Sequence, residues 1–333
     1  MFYDCNKCFT ILCFLRGIIK LNIHKIVIPT PYEIGDVNAF LVNGEALTIF
    51  DVGPKTTEAY EALKRGIREA GYDLSDIEQV VLTHHHPDHA GWVDAFPKAN
   101  ILGHEYVDHW MRKESQFIEY RNEFYRHYLK LQAVPERYIE KFIDNRREIS
   151  YFGTIPLTHF INDGDQIPGH PGLKAIYTPG HAQSHFIFHD HKSNSVIGGD
   201  LLMENVAPNP LIEPPVTLNF ERPKAFLQYQ ESLLLLKNLQ VDKVYAGHGN
   251  DVTNVNELIS MRIKRDQLKA QSVYEILSKP KTVMEVTSEL YASIYKSQLG
   301  LTLSKTIGYL DQLENKGLIK SELNDDILIY SRT

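Results

Sequence analysis

The chain has 333 residues, 43% of them hydrophobic and 23% charged. These fractions belong to an ordinary globular protein and exclude a disordered or collagen-like one. The 35 bases against 42 acids leave a net charge of −7, which excludes a chain-wide basic footprint for nucleic acid. Cys5, Cys8 and Cys13 are the only cysteines. No disulfide framework can therefore hold the main fold, which fits a cytoplasmic setting.

Residues 1–20 read as an extension ahead of a domain that starts at about residue 21. The apolar run Phe9–Ile19 is interrupted by Arg16, too short to span a bilayer, and without a small-residue cleavage site. No membrane partner is expected. Cys5-x-x-Cys8 lacks the second pair that a tetrahedral metal site needs. Asn22–Gly53 reads as strands separated by turns, ending in Asp51-Val52-Gly53, and Thr56–Ala70 has helical apolar spacing through Tyr60, Leu63 and Ile67. Gln79–Thr83 is a short apolar strand that delivers His84, and Asn100–Gly103 is another. The spacing predicts a helical insertion over about residues 105–150: Trp110, Phe117, Phe124 and Leu131 recur every seven residues, as on one amphipathic helix. That helix either packs on its neighbours or walls a substrate pocket.

Strands resume at Lys174–Thr178, His185–His189 and Ser195–Gly199, followed by a proline-rich loop, Pro208–Pro215, and a helix, Pro223–Leu239. Lys243–Ala246 is a strand ending at Gly247-His248-Gly249. Past residue 255 the character changes. Helices are expected at Glu257–Leu277, Thr282–Tyr291 and Leu303–Asn315, then a hairpin around Asn324-Asp325-Asp326. This order suggests a winged helix-turn-helix over 256–333, behind a domain spanning 21–255.

The chemically informative run is Thr83-His84-His85-His86-Pro87-Asp88-His89. Alternate residues at a strand end point the same way, so His84 and His86 can share one metal ion, and Asp88 and His89 can reach a second from the turn. His85 should point away and serve structure. Burying such polar groups unpaired would cost about 1–3 kcal/mol each, so a purposeless cluster is not expected. His181 in Pro179-Gly180-His181, Asp200 after Gly198-Gly199, and His248 between Gly247 and Gly249 each end a strand beside glycine, which lets the backbone approach a site closely. His185, four residues after His181, is a secondary candidate for substrate contact. His104 and His109 read as structural or surface residues.

This pattern, over roughly residues 22–252, resembles the dinuclear hydrolase branch of the metallo-β-lactamase superfamily. The resemblance implies an α+β fold, the αββα sandwich of that family, with metals at one edge between two sheets. It implies that His84, His86 and His181 bind one metal, that Asp88, His89 and His248 bind the other, and that Asp200 bridges. Asp51 would orient ligand rings from behind. Antibiotic-hydrolysing class B enzymes generally have cysteine where Asp200 stands, and the diiron flavoproteins have glutamate where His86 stands; neither activity is implied. The set looks like that of glyoxalase II, the lactonases and the ribonucleases of this fold.

Histidine and carboxylate donors without thiolate suit two zinc ions, and also manganese or iron. Such a pair would share a water of depressed pKa, and the resulting hydroxide would attack the substrate, with Asp88 able to accept its proton. The C-terminal region resembles the tail of lactamase-beta-2-like proteins, a group that includes an endoribonuclease. Residues 257–333 carry eleven bases and ten acids, too even a balance for groove binding. DNA is not an expected partner, and dimerisation or framing of the site is the favoured role for the tail. The leading expectation is hydrolysis of a small ester, thioester or lactone. RNA cleavage is the alternative, and a metal-domain ligand sensor with a winged-helix output is the third reading.

Overall fold

The computed structural model describes residues 22–216 and 221–333. The proposed N-terminal extension, with its cysteines, lies outside the described residues. The first sheet contains β1 (Asn22–Ile28), β2 (Val37–Asn43), β3 (Leu47–Phe50), β4 (Gln79–Val81), β5 (Asn100–Gly103) and β6 (His159–Phe160), in that spatial order. β1, β2 and β3 are antiparallel neighbours, and β3 to β6 run parallel. The second sheet has the order β10-β9-β8-β7, from β7 (Leu173–Tyr177), β8 (Phe186–Asp190), β9 (Ser195–Gly199) and β10 (Lys243–Ala246).

Strand alternation builds the layers. In β2, Val37, Ala39 and Leu41 face outward onto helices, while Phe40 and Val42 face the second sheet. Phe50 of β3 meets Phe188 of β8 edge-on with ring centroids 5.0 Å apart. Helix α1 (Thr57–Glu69) starts where Thr56 Oγ1 accepts a hydrogen bond from the Ala59 amide, and it buries Ala59, Leu63 and Ile67 on the first sheet. The second sheet is covered by α7 (Ala225–Leu239) and α8 (Val255–Ile276), through Tyr229, Leu233, Leu236, Leu258 and Ile259. Two sheets sandwiched between helices result, as expected.

The insertion differs from the single helix that its heptad spacing predicts. It forms α3 (Glu105–Arg112), α4 (Ser115–Leu131), α5 (Glu136–Ile143) and α6 (Arg146–Ser150), with α2 (Pro87–Ala90) earlier in the chain. Lys113 adopts a left-handed conformation, φ 52°, and ends α3. The seven-residue spacing therefore spans a break: Trp110 and Phe117 enter the first-sheet core, whereas Tyr125, Tyr128 and Leu129 pack with the C-terminal helices.

The C-terminal part follows the expected order: α8, then α9 (Val283–Leu290), α10 (Leu299–Asn315) and a hairpin of β11 (Ile319–Asn324) and β12 (Ile327–Arg332). Asp325 and Asp326 both take positive φ, 45° and 62°, as a tight hairpin turn requires. Thr282 and Glu285 form a reciprocal capping box at the start of α9. These elements share one core with the insertion: Leu303, Ile307 and Leu310 of α10 cluster with Tyr125, Leu129, Ile139, Ile212 and Phe226. No helix among the described residues is long and apolar enough to cross a membrane.

Gly308 lets α10 touch α7. A Cβ there would stand 2.5 Å from Phe226 Cβ, an atom that no rotamer change can move. Alanine would gain up to about 1 kcal/mol of helix propensity, against about 1–3 kcal/mol of overpacking. Gly308→Ala is expected to lower the thermal unfolding midpoint measured by circular dichroism, despite its better intrinsic helicity.

Candidate metal centre

Every predicted ligand stands at a strand end or in the helical turn that follows one. Asp51 follows β3, His84 lies just beyond β4, His86 caps α2, and Asp88 and His89 lie in its single turn. His181 follows β7, Asp200 follows β9, and His248 follows β10. At Gly247 any side chain would collide with Asp200 Oδ1, so glycine is required for the close approach.

Asp51 organises the floor. It is buried, with a left-handed backbone of φ 59°, a local strain typical of functional positions. Its Oδ1 accepts from the Thr83 amide at 2.9 Å. Its Oδ2 accepts from the Thr83 hydroxyl at 2.9 Å and from His89 Nδ1 at 2.8 Å. Having given its one hydrogen to Asp51, Thr83 Oγ1 can only accept from His84 Nδ1, 2.9 Å away. His181 Nδ1 donates to the Asn209 carbonyl at 3.1 Å, and His248 Nδ1 to the Asp36 carbonyl at 2.8 Å. In His84, His89, His181 and His248 the outer nitrogen is thus the donor, and Nε2 faces the cluster.

The inner atoms crowd together. His86 Nδ1 lies 3.0 Å from His84 Nε2 and 3.1 Å from His181 Nε2. A hydrogen on His86 Nδ1 could point at only one of these acceptors, and without it both contacts set lone pairs face to face. Tetrahedral zinc, with bonds of about 2.0–2.1 Å, would place its nitrogen ligands about 3.3 Å apart. Asp200 Oδ1 is 3.4 Å from His89 Nε2, and its Oδ2 is 3.5 Å from both His181 Nε2 and His248 Nε2. Asp88 Oδ2 is 3.4 Å from His248 Nε2. His89 Nε2, His248 Nε2 and Asp200 Oδ1 are buried without a hydrogen-bond partner. Such convergence of unsatisfied donor atoms fits cations, and the ligand atoms of His84, His86 and His181, and separately those of Asp88, His89 and His248, lie within 4.8 Å of one another.

The electrostatics divide the same way. Burial, reinforced by neighbouring imidazoles, holds His86 and His181 down at about 3 and His84 well below its usual range. Burial also opposes charge on His89 and His248, but Asp200 and the neighbouring carboxylates outweigh it and pull both up, His248 to about 10. The field that would hold a proton on those two rings would equally hold a dication.

Other residues fall differently from expectation. His185 is fully buried: its Nδ1 meets Thr178 Oγ1 at 2.9 Å, and its Nε2 accepts from the Asp200 amide at 3.1 Å. It supports Asp200 from behind and has no free atom for a substrate, which corrects the expected substrate contact. His85 turns away from the cluster and stacks on Trp110, with ring centroids 5.5 Å apart. His104 caps α3 through Nδ1, and His109 pairs with Glu114 at the surface. Sequence reasoning missed Glu213, buried in the proline-rich loop with Oε1 2.9 Å from His85 Nε2. It also missed Tyr32, whose hydroxyl is buried without a partner; burial and then Asp88 raise its pKa.

The chain is similar to known proteins along most of its length. The family model described as the metallo-beta-lactamase superfamily matches residues 32–248. A probable metallo-hydrolase of Bacillus subtilis, YqjP, is 38% identical over 304 residues, covering 90% of this chain and 94% of that one. The thioesterase pkgB of Emericella nidulans is 22% identical over 251 residues, 75% of this chain and 56% of pkgB. The crystal structure of TTHA1429 from Thermus thermophilus, a metallo-beta-lactamase family protein, superimposes with a TM-score of 0.76 at 24% identity, covering 93% of this chain and 98% of that one.

His86, His181 and His185 are held at about 3 in the folded chain, against about 6.5 when unfolded. The unfolded state therefore binds more protons between those values, and stability falls as pH drops through that window. Metal-free protein should show a lower urea midpoint at pH 5 than at pH 7. An unchanged midpoint would mean that these rings are not held neutral.

Proposed function

Because the chain belongs to the metallo-β-lactamase superfamily and is a metal-dependent hydrolase, we propose that it cleaves a small ester, thioester or lactone at a dinuclear centre. The observation that carries this reading is the inward convergence of imidazole nitrogens whose outer nitrogens are already committed as donors. His84, His86 and His181 would hold one ion, Asp88, His89 and His248 a second, and Asp200 would lie between them. Zinc fits the nitrogen and carboxylate donors, as do manganese and iron. When bound, such a pair supplies Lewis acidity and lowers the pKa of water to about 7 for zinc.

The chain's own residues supply the rest. Asp51, Thr83 and the carbonyls of Asp36 and Asn209 fix ring orientation, so the donor nitrogens already face inward. In the metal-free chain His89 and His248 hold Asp88 below the usual carboxylate range against the effect of burial, and bound ions would take over that role. Asp88 can therefore accept a proton from the attacking water and later return it to the leaving oxygen or sulfur.

The C-terminal helices favour a small substrate. α10 would be the reading helix of a winged helix-turn-helix, yet it is buried along nearly its whole length. Its Lys305 is turned inward to the Pro208 carbonyl at 3.2 Å. A helix so enclosed offers no face to a groove, and non-specific nucleic-acid affinity needs several free cations. Among the compared proteins, pkgB is named a thioesterase, which supports a carbonyl substrate.

The test is a panel of short thioesters, esters and lactones, with single-stranded RNA beside it, on protein shown to hold two metal ions. Carbonyl substrates should be hydrolysed, and RNA should not. Asp88→Asn should lower kcat/KM by about 100-fold or more, within the range ascribed to positioned acid–base groups. RNA cleavage that disappears in His86→Ala, with no carbonyl hydrolysis, would replace this reading by an endoribonuclease.

A further inference from the structure

The loop between Asp200 and α7 contains a short strap, residues 208–215, fastened on both sides. Toward the C-terminal helices, Asn209 Nδ2 donates to the Leu301 carbonyl at 2.9 Å, Lys305 Nζ to the Pro208 carbonyl at 3.2 Å, and the Ile212 amide to Ser304 Oγ at 3.3 Å. From the insertion, the Tyr125 and Tyr120 hydroxyls donate to the carbonyls of Ile212, at 2.6 Å, and Pro215, at 3.2 Å. Toward the site, the Asn209 carbonyl receives His181 Nδ1.

Glu213 is the strap's side chain on the site. It is 5% exposed. One oxygen accepts from the Gln183 amide at 2.7 Å, two residues past His181, and the other meets His85 Nε2 at 2.9 Å, between His84 and His86. The contacts fit one hydrogen pattern. The His85 amide donates to Ser184 Oγ at 3.0 Å, so that hydroxyl is free to donate to His85 Nδ1 at 2.8 Å, which leaves Nε2–H for Glu213. Both contacts on Glu213 are donors, and only a carboxylate offers acceptors on both oxygens. His85, His86 and Glu213 also come near one another as a potential ion-binding group, but His85 and Glu213 already satisfy each other and need no ion.

We propose that Glu213 is a positioning residue for the three-histidine half of the centre, tying the His84–His86 segment to the His181 turn and anchored from the C-terminal helix through the strap. It touches no ligand directly. It fixes the spacing of the two segments that carry them. This inference rests on the dinuclear reading above. It adds that the α10 helix takes part in holding a metal ion.

The experiment compares wild type, Glu213→Gln, Glu213→Ala and Asn209→Ala, each reconstituted with cobalt(II) as a spectroscopic probe. Metal stoichiometry, chelator competition, the cobalt absorption spectrum, and kcat and KM on whichever thioester the wild type hydrolyses are measured together. Glu213→Gln keeps the volume and one acceptor but sets an amide NH2 against a donor. It should fold, shift the cobalt bands, and lose about 10–100-fold in affinity for one of the two ions, as loss of an outer ligand-orienting group typically does. kcat should fall more than KM rises. Asn209→Ala, which loosens only the strap's anchor, should move affinity in the same direction by less. Unchanged affinity and spectra in the folded variants would overturn the proposal. Wild type that fails to take up two ions would instead overturn the dinuclear reading, a distinct result.

Discussion

Protons placed on the outer nitrogens of the histidines decide this molecule's chemistry. A neutral imidazole has one donor and one acceptor nitrogen. Once Thr83, Asp51, Asn209 and Asp36 take the donors of His84, His89, His181 and His248, the inner nitrogens face one another and the carboxylates of Asp88 and Asp200. Lone pairs some 3 Å apart in a buried space repel unless a proton or a cation lies between them. The centre is thus a convergence of donor atoms that suits positive charge, with Asp51 in its left-handed conformation behind it.

The C-terminal helices change meaning when their packing is considered. Viewed as a chain of elements, three helices and a hairpin belong to a nucleic-acid reader. In the folded molecule the third of them is the backing of the active-site loop, and its apolar face merges with the insertion in one core. The insertion works from the opposite side: Trp110 of α3 stacks on His85, and α4 sits against the strap and the terminal hairpin. Two segments far apart in sequence thus meet over the same loop, which has no helix or strand among its described residues between β9 and α7.

The histidines and aspartates that converge were legible, because their residue types suit ligation and strand alternation restricts direction. His84 and His86 turn inward, and His85 turns outward, as alternation requires. The acceptors that orient the rings were largely illegible. The carbonyls of Asp36 and Asn209 act through backbone, which every residue has, and Glu213 lies in a loop without periodicity. The break at Lys113 gave no warning, since a lysine in the left-handed region carries no glycine or asparagine signal. For His185, the short distance from His181 along the chain is misleading. β8 begins one residue later, and the ring is held between Thr178 and the Asp200 amide.

The strap's dependence on α10 also has a bearing on biosynthesis. A ribosome releases the chain from its N-terminus, and segments fold as their partners appear. All the candidate ligands have been made by residue 248, but Leu301, Ser304 and Lys305, which fasten the strap, come some fifty residues later. A nascent chain therefore carries a complete set of donor atoms with one wall still unlatched. Fastening of the strap therefore waits for α10, which is made after every residue of the candidate centre.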